Sequence, residues 1–197
     1  MNVPRPIIRL SVEDYLAAER SADVRHEYVD GELFAMTGAS RAHKAIALNI
    51  AAALLDHLRD GPCRVAIADM KVRSESLNRF YYPDGVVSCN AVAEEPDDHV
   101  ETRPILVVEV LSPSTAATDR REKRLGYQTL PSLQEYVLVH QDRVAIELFR
   151  RQGDLWTRAE HAAGERIALP SIGFEVEPLD LYRGSGVPVP EGLSSDR

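Results

Sequence analysis

The stretch PILVVEVLSPST, residues 104–115, decides how this chain reads. Ile105, Leu106, Val107 and Val108, then Val110 and Leu111, make an apolar run that Ser112 and Pro113 close. A run of this length predicts a strand covered on both faces. Glu109 stands in its middle. Burying an ionised carboxylate there costs several kcal/mol unless it is paired, protonated or bound to a cation. A buried salt bridge meets that demand, and so does a metal ligand or catalytic acid. The strand alone leaves both open.

Working outward, SVEDYLAAER (11–20) predicts a short helix, with Ser11 as N-cap and an acid three residues later. RHEYVDGELFAM (25–36) carries Asp30-Gly31 between two alternating runs and predicts a hairpin. SRAHKAIALNIAAALLDHLRDG (40–61) predicts a long amphipathic helix with Ile46, Ile50, Ala53, Leu54 and His57 on or near one stripe, stopped by Gly61-Pro62. CRVAIADMKVR, FYYPDGVVSC and PILVVEVL each predict a strand. TAATDRREKRLGYQTL (115–130) has helical character, EYVLVH and VAIELFRR predict two more strands, and LWTRAEHA and ERIALP predict weaker strands added at an edge. This order predicts an α/β domain with a mixed sheet covered by helices. One domain over 1–182 is expected, followed by a mobile Gly-, Pro- and Ser-rich tail over 183–197.

Bulk properties narrow the function classes. Hydrophobic content of 44% and charged content of 27% are ordinary for a globular protein. No apolar run approaches the roughly 18 residues that cross a bilayer, and the N-terminus lacks the apolar core of a signal peptide. Cys63 and Cys89 stand apart, outside any CxxC or His-flanked cluster, which disfavours a cysteine-built zinc site and leads us to expect a reducing cytoplasm. A net charge of −8 disfavours a generic polyanion binder, while leaving room for an enzyme that meets phosphate through a local basic face and a divalent cation.

Asp84, in YYPDGVV, is a second acid at the edge of an apolar run. It reads either as a turn residue after Pro83 or, if its strand neighbours that of Glu109, as half of a carboxylate pair suited to Mg²⁺. In TDRREKRLGYQTL, helical spacing sets Lys123, Tyr127 and Leu130 on one face, with Arg120 a turn earlier. Lys123 would then either turn inward toward the acids or lay its stem on the sheet and keep its ammonium in solvent. Ser112 and Ser114 lack a GxSxG elbow, the histidines lack zinc-protease spacing, and no Gly-rich phosphate loop is present.

Together, HEYVDGELFAMTGAS with His43 beyond it, YYPDGVV, ILVVEVLSPST and the DxxxKxxxY run resemble the Uma-type restriction endonuclease family, a domain of unknown function in the PD-(D/E)XK nuclease superfamily. The resemblance runs from about Ser11 to Leu181. It implies a restriction-endonuclease-like fold and divalent-metal-dependent phosphodiester cleavage. It also implies Asp84 and Glu109 as ligands of Mg²⁺ or Mn²⁺, the backbone carbonyl of Val110 as a further ligand, and Lys123 as catalytic lysine. Leu111 occupies the position where the superfamily signature has lysine, which makes Lys123, on the following helix, the substitute. Glu32 (with Glu27 as its rival), His43 and Tyr127 match the family pattern as further site residues, each with a structural alternative: a solvent-facing strand acid, a surface histidine and a core tyrosine. Arg120, Arg124, Arg41 and Lys44 are candidates for phosphate contact, although a solvated helix face is the default explanation of the cluster around Arg120. The expected activity is a DNA endonuclease acting as a possible homodimer. The alternatives are a silent nuclease-fold domain used for nucleic-acid or protein binding, and a plain Glu109–Lys123 ion pair.

Overall fold

The computed structural model describes residues 9–89 and 97–193. Helix α1 (Val12–Glu19) starts at Ser11, whose side chain accepts from the Asp14 amide. Strands β1 (His26–Val29) and β2 (Glu32–Ala35) form the predicted hairpin, and Asp30 and Gly31 take the positive φ angles (47° and 93°) that a two-residue turn of this hand requires. Helix α2 (Arg41–Leu58) is capped by Ser40 and buries Ile46, Ile50, Ala51, Leu54 and Leu58. The stripe therefore ends on Leu58, and His57 is exposed.

Two of the three central strand candidates break in two. CRVAIADMKVR becomes β3 (Arg64–Ile67) and β4 (Lys71–Ser74), divided at Ala68 with φ of 46°. FYYPDGVVSC becomes β5 (Arg79–Tyr81) and β6 (Gly85–Ser88), divided around Pro83, which has no N–H to continue a ladder. Each break carries the chain between sheets. One sheet has the order β2-β1-β5-β4-β7, where β7 is Val100–Glu101. The other has the order β11-β10-β9-β8-β6-β3, with β8 (Leu106–Leu111), β9 (Glu135–His140), β10 (Ala145–Gln152) and β11 (Leu155–Ala162). It is mixed: β8 and β9 run parallel, and its other pairs are antiparallel. β11 is the antiparallel edge addition expected for LWTRAEHA. ERIALP instead supplies β12 (Ile167–Leu169), which pairs with β13 (Phe174–Val176) outside both sheets.

All six residues of β8 are buried, as a strand covered on both faces must be. On one face, Leu106, Val108 and Val110 meet Ile46, Ile50 and Leu54 of α2, together with Leu181 of α5 (Pro178–Leu181). On the other, Val107 and Leu111 join Val72, Tyr81, Tyr127 and Leu138. Glu109 lies between Val107 and Leu111 and shares their face by the two-residue period. A third cluster, Tyr15, Tyr28 and Phe80, fastens α1 to the hairpin sheet. Val187, within the Gly- and Pro-rich stretch, packs into the main core, and the Asn49 amide donates to the carbonyl of Arg183 at 2.7 Å.

One expectation needs correction. Cys63 and Cys89, far apart in sequence, flank the β3–β6 pair, where Arg64 faces Ser88, and they are joined as a disulfide with Cα atoms 4.0 Å apart. The antiparallel register brings them together, which spacing along the chain does not reveal. Disulfide pairing withdraws the support these cysteines lent to a reducing compartment. Among the described residues, no helix is long and apolar enough to cross a membrane.

Candidate active site

β6 and β8 pair antiparallel with Gly85 facing Val108 and Val86 facing Val107. Continuing that register by one residue sets Asp84 opposite Glu109, and residues directly opposite in an antiparallel pair point to the same face. Asp84 is thus both the turn residue after Pro83 and the partner of Glu109. Its Oδ2 accepts from the Val110 amide at 2.7 Å, and its Oδ1 lies 2.8 Å from His43 Nε2 in the first turn of α2. Val110 therefore contributes its N–H to the site.

The lysine arrives from the following helix. After Ser112–Thr115 the chain turns into α3 (Ala116–Thr118), then a π-helical turn (Asp119–Lys123), then α4 (Arg124–Gln128). π turns recur at functional sites because the extra residue re-aims side chains. Gly126 lets this helix close on the sheet: a Cβ there would lie 2.8 Å from Tyr81 Oη. Lys123 turns inward and is 5% exposed, so the solvent-directed alternative does not hold. Its Nζ stands 2.7 Å from Glu27 Oε1, 3.2 Å from Glu109 Oε1 and 3.3 Å from Asp119 Oδ1. The buried Tyr127 hydroxyl donates to Glu109 Oε1 at 3.0 Å.

Three carboxylates thus gather on a single ammonium, and Asp84 adds a fourth charge that acts on Glu109. Burial pushes the Glu109 carboxyl well above the ordinary carboxylate range; Lys123 opposes the shift, and the charges of Asp119, Asp84 and Glu27 add to it. Burial likewise raises Glu27 and Asp119. Burial works against the charge on Lys123, but Glu109, Glu27 and Asp119 outweigh it and keep the ammonium protonated. The surplus of hard oxygen donors suits a divalent cation such as Mg²⁺, which takes one or two carboxylates and fills its sphere with water and substrate oxygen. Among the described residues, no three His, Cys, Asp or Glu side chains are arranged to hold a metal by themselves. Asp84 and Glu109 fit the partial, carboxylate-poor holding that Mg²⁺ accepts.

Glu27, Asp84, Glu109, Lys123 and His43 line a cleft of about 400 Å³. Glu27 takes the place expected for Glu32. Glu32 faces Val29 across the hairpin on the outer strand, is exposed, and does not line the cleft. The period of two does not separate them, since Glu32 pairs with Val29 and shares the face of Glu27; Glu27 lies on the inner strand β1, where its carboxylate reaches Lys123. Asp119 was legible from its i, i+4 spacing to Lys123. The four basic phosphate candidates do not line the cleft. Arg120 donates to Glu147 at 2.8 Å, Arg124 lies over the Phe149 ring at 5.2 Å, and Arg41 and Lys44 are exposed on α2.

Comparison with known proteins shows the family and the fold. The Uma2 family profile, described as "Putative restriction endonuclease", matches residues 12–181. The uncharacterized protein slr1290 of Synechocystis is 36% identical over 180 residues, covering 91% of this chain and 94% of its own length. A second Synechocystis protein, sll1609, also uncharacterized, is 32% identical over 150 residues, covering 74% and 82%. The crystal structure of a "putative nuclease belonging to DUF820" from Anabaena variabilis superposes with a TM-score of 0.73 at 15% identity, covering 88% of this chain and 97% of that one. With the family profile spanning nearly the whole globular part, and with a mixed α/β architecture shared with that structure, the chain belongs to the Uma2 family of restriction-endonuclease-like proteins.

Proposed function

We propose that this protein is a Mg²⁺- or Mn²⁺-dependent endonuclease that hydrolyses phosphodiester bonds in DNA at the Asp84–Glu109 cleft. The observation carrying this reading is the excess of converging carboxylates over the one ammonium that faces them. A divalent ion bound there supplies Lewis-acid polarisation of the phosphoryl oxygen and a lowered pKa for coordinated water.

The residues around it have separable tasks. Asp84 and Glu109 would hold the ion. The Val110 amide and His43 fix the orientation of the Asp84 carboxylate. Tyr127 and Lys123 do the same for Glu109. Lys123, enclosed by three acids, first positions Glu109; when a phosphate enters, its ammonium is the cation available to steady charge on the transferring group. A homodimer would let two clefts address two strands.

The test is plasmid nicking with Mg²⁺ or Mn²⁺, alongside Asp84→Ala and Glu109→Ala. Metal-dependent cleavage lost in both variants supports the proposal. Cleavage absent in every metal, or equal in wild type and variants, overturns it. A second reading, a silent nuclease-fold domain, has one observation in its favour: both oxygens of Asp84 are already engaged by protein donors. Calorimetry with Mn²⁺ separates the two, since a silent domain need not bind metal at this pair.

A further inference from the structure

The cleft is short of cations. Its described lining carries only one permanently cationic side chain, Lys123, together with the imidazole of His43, and both are paired with carboxylates. The whole chain carries a net charge of −8. Phosphate attraction alone is therefore a weak source of affinity, because that source is surface Lys and Arg.

What the rim does offer is apolar. Strand β2 is the outer strand of its sheet, and Phe34 and Met36 are 50% and 41% exposed while lining the cleft. Phe34 pairs directly with Glu27 in the hairpin register, so its ring stands on the same face as the carboxylate that grips Lys123. The β8–α3 turn adds the neutral Ser112, Pro113, Ser114 and Thr115 to the lining, and Glu122 adds a further acid. Leaving a phenylalanine half exposed costs hydrophobic stabilisation, and folding alone gives no reason to place one beside the carboxylates.

We propose that Phe34, backed by Met36, is a stacking platform for an unpaired base, so that the cleft selects single-stranded or frayed nucleic acid over blunt duplex. This rests on the nuclease reading of the cleft and names its substrate class. A flat ring accepts the face of any base. In a closed duplex those faces are buried in the stack, so the platform engages only strands whose bases can splay. Affinity then depends on stacking more than on ion release, and because the slope scales with the number of Lys and Arg that meet phosphate, a lining with Lys123 alone makes the salt dependence shallow.

The experiment measures binding of wild type, Phe34→Ala and Phe34→Trp to a short 2-aminopurine-labelled DNA strand and to its blunt duplex, with Ca²⁺ in place of Mg²⁺ to hold off cleavage. Wild type should prefer the single strand and quench the 2-aminopurine. Phe34→Ala should lose roughly tenfold in single-strand affinity with little change on duplex. Phe34→Trp, which keeps a flat ring, should retain both the preference and the quenching. Circular dichroism and Mn²⁺ titration of Phe34→Ala should match wild type, as expected for a half-exposed residue on an outer strand.

Equal loss on both substrates, or no loss on either, overturns the platform. So does a wild-type dimer that Phe34→Ala converts to monomer, since the patch would then serve a second copy of the chain. Plasmid cleavage that needs Asp84 and Glu109 but shows no strand preference removes the platform and leaves the nuclease reading standing. Failure of wild type to bind either DNA in any metal removes both.

Discussion

Lys123 Nζ lies 3.2 Å from Glu109 Oε1, and the two residues reach each other across 14 positions of sequence from a π turn and a buried strand. This contact is not a simple ion pair. Glu27 is closer to the same nitrogen, and Asp119 is nearly as close as Glu109. The ammonium is shared, and the acids around it outnumber it.

The first consequence concerns charge and pH. The Glu109 carboxyl is raised well above its ordinary value in the fold, mainly by burial. The folded chain therefore binds a proton there that the unfolded chain has released, and stability falls as pH rises above about 4.5 toward the folded value. Glu109→Gln should flatten that fall and raise the melting temperature of the metal-free protein at neutral pH. It should also abolish any Mn²⁺-induced increase. Thermal melts across pH, with and without Mn²⁺, read both effects; a lower melting temperature in metal-free Glu109→Gln would refute the charge-excess account.

Removing the cation acts in the opposite direction. Lys123→Met leaves Glu27, Glu109 and Asp119 buried without their shared partner. Breaking a buried pair from one side costs about 3–5 kcal/mol. The loss should be large at neutral pH and shrink in acid, where the three carboxyls take up protons. Urea unfolding at both pH values measures the difference.

His43 acts through Asp84, to which its Nε2 is 2.8 Å away. Groups that orient a ligand typically contribute about 10- to 100-fold in metal affinity or activity. His43→Ala should show a loss of that size, with overall stability nearly unchanged. His43→Gln, whose side-chain amide can still donate to the carboxylate, should recover part of it. Mn²⁺ calorimetry and nicking rates on the same preparations distinguish an orienting role from a surface one.

Gly126 gives a packing prediction against ordinary helix preference. Gly→Ala inside a helix normally gains up to about 1 kcal/mol. Here the added methyl would meet Tyr81 at 2.8 Å and disturb its 2.6 Å hydrogen bond to Glu122. Overpacking of this kind costs about 1–3 kcal/mol. Gly126→Ala should therefore lower the denaturation midpoint, and nicking activity should fall with it as the helix carrying Lys123 is pushed outward.

Local pattern determined a large part of this protein. The Ser11 and Ser40 caps, the Asp30-Gly31 hairpin, the α2 stripe and the fully buried β8 are consequences of periodicity and turn chemistry, which act over a few residues. The acid in the middle of β8 announced a compensating partner by the same local logic, because a charge in an apolar run has to be compensated, and Lys123 and Tyr127 supply it. Where the chain changes sheet at Ala68 and Pro83 was less visible, since two short strands in one apolar stretch look like one long strand. Tertiary structure alone chose Glu27 over Glu32, sent Arg120 to Glu147 and joined Cys63 to Cys89. Those choices depend on which strand lies inside the sheet, on cross-strand register and on how a π turn aims side chains, none of which is set by neighbours along the chain.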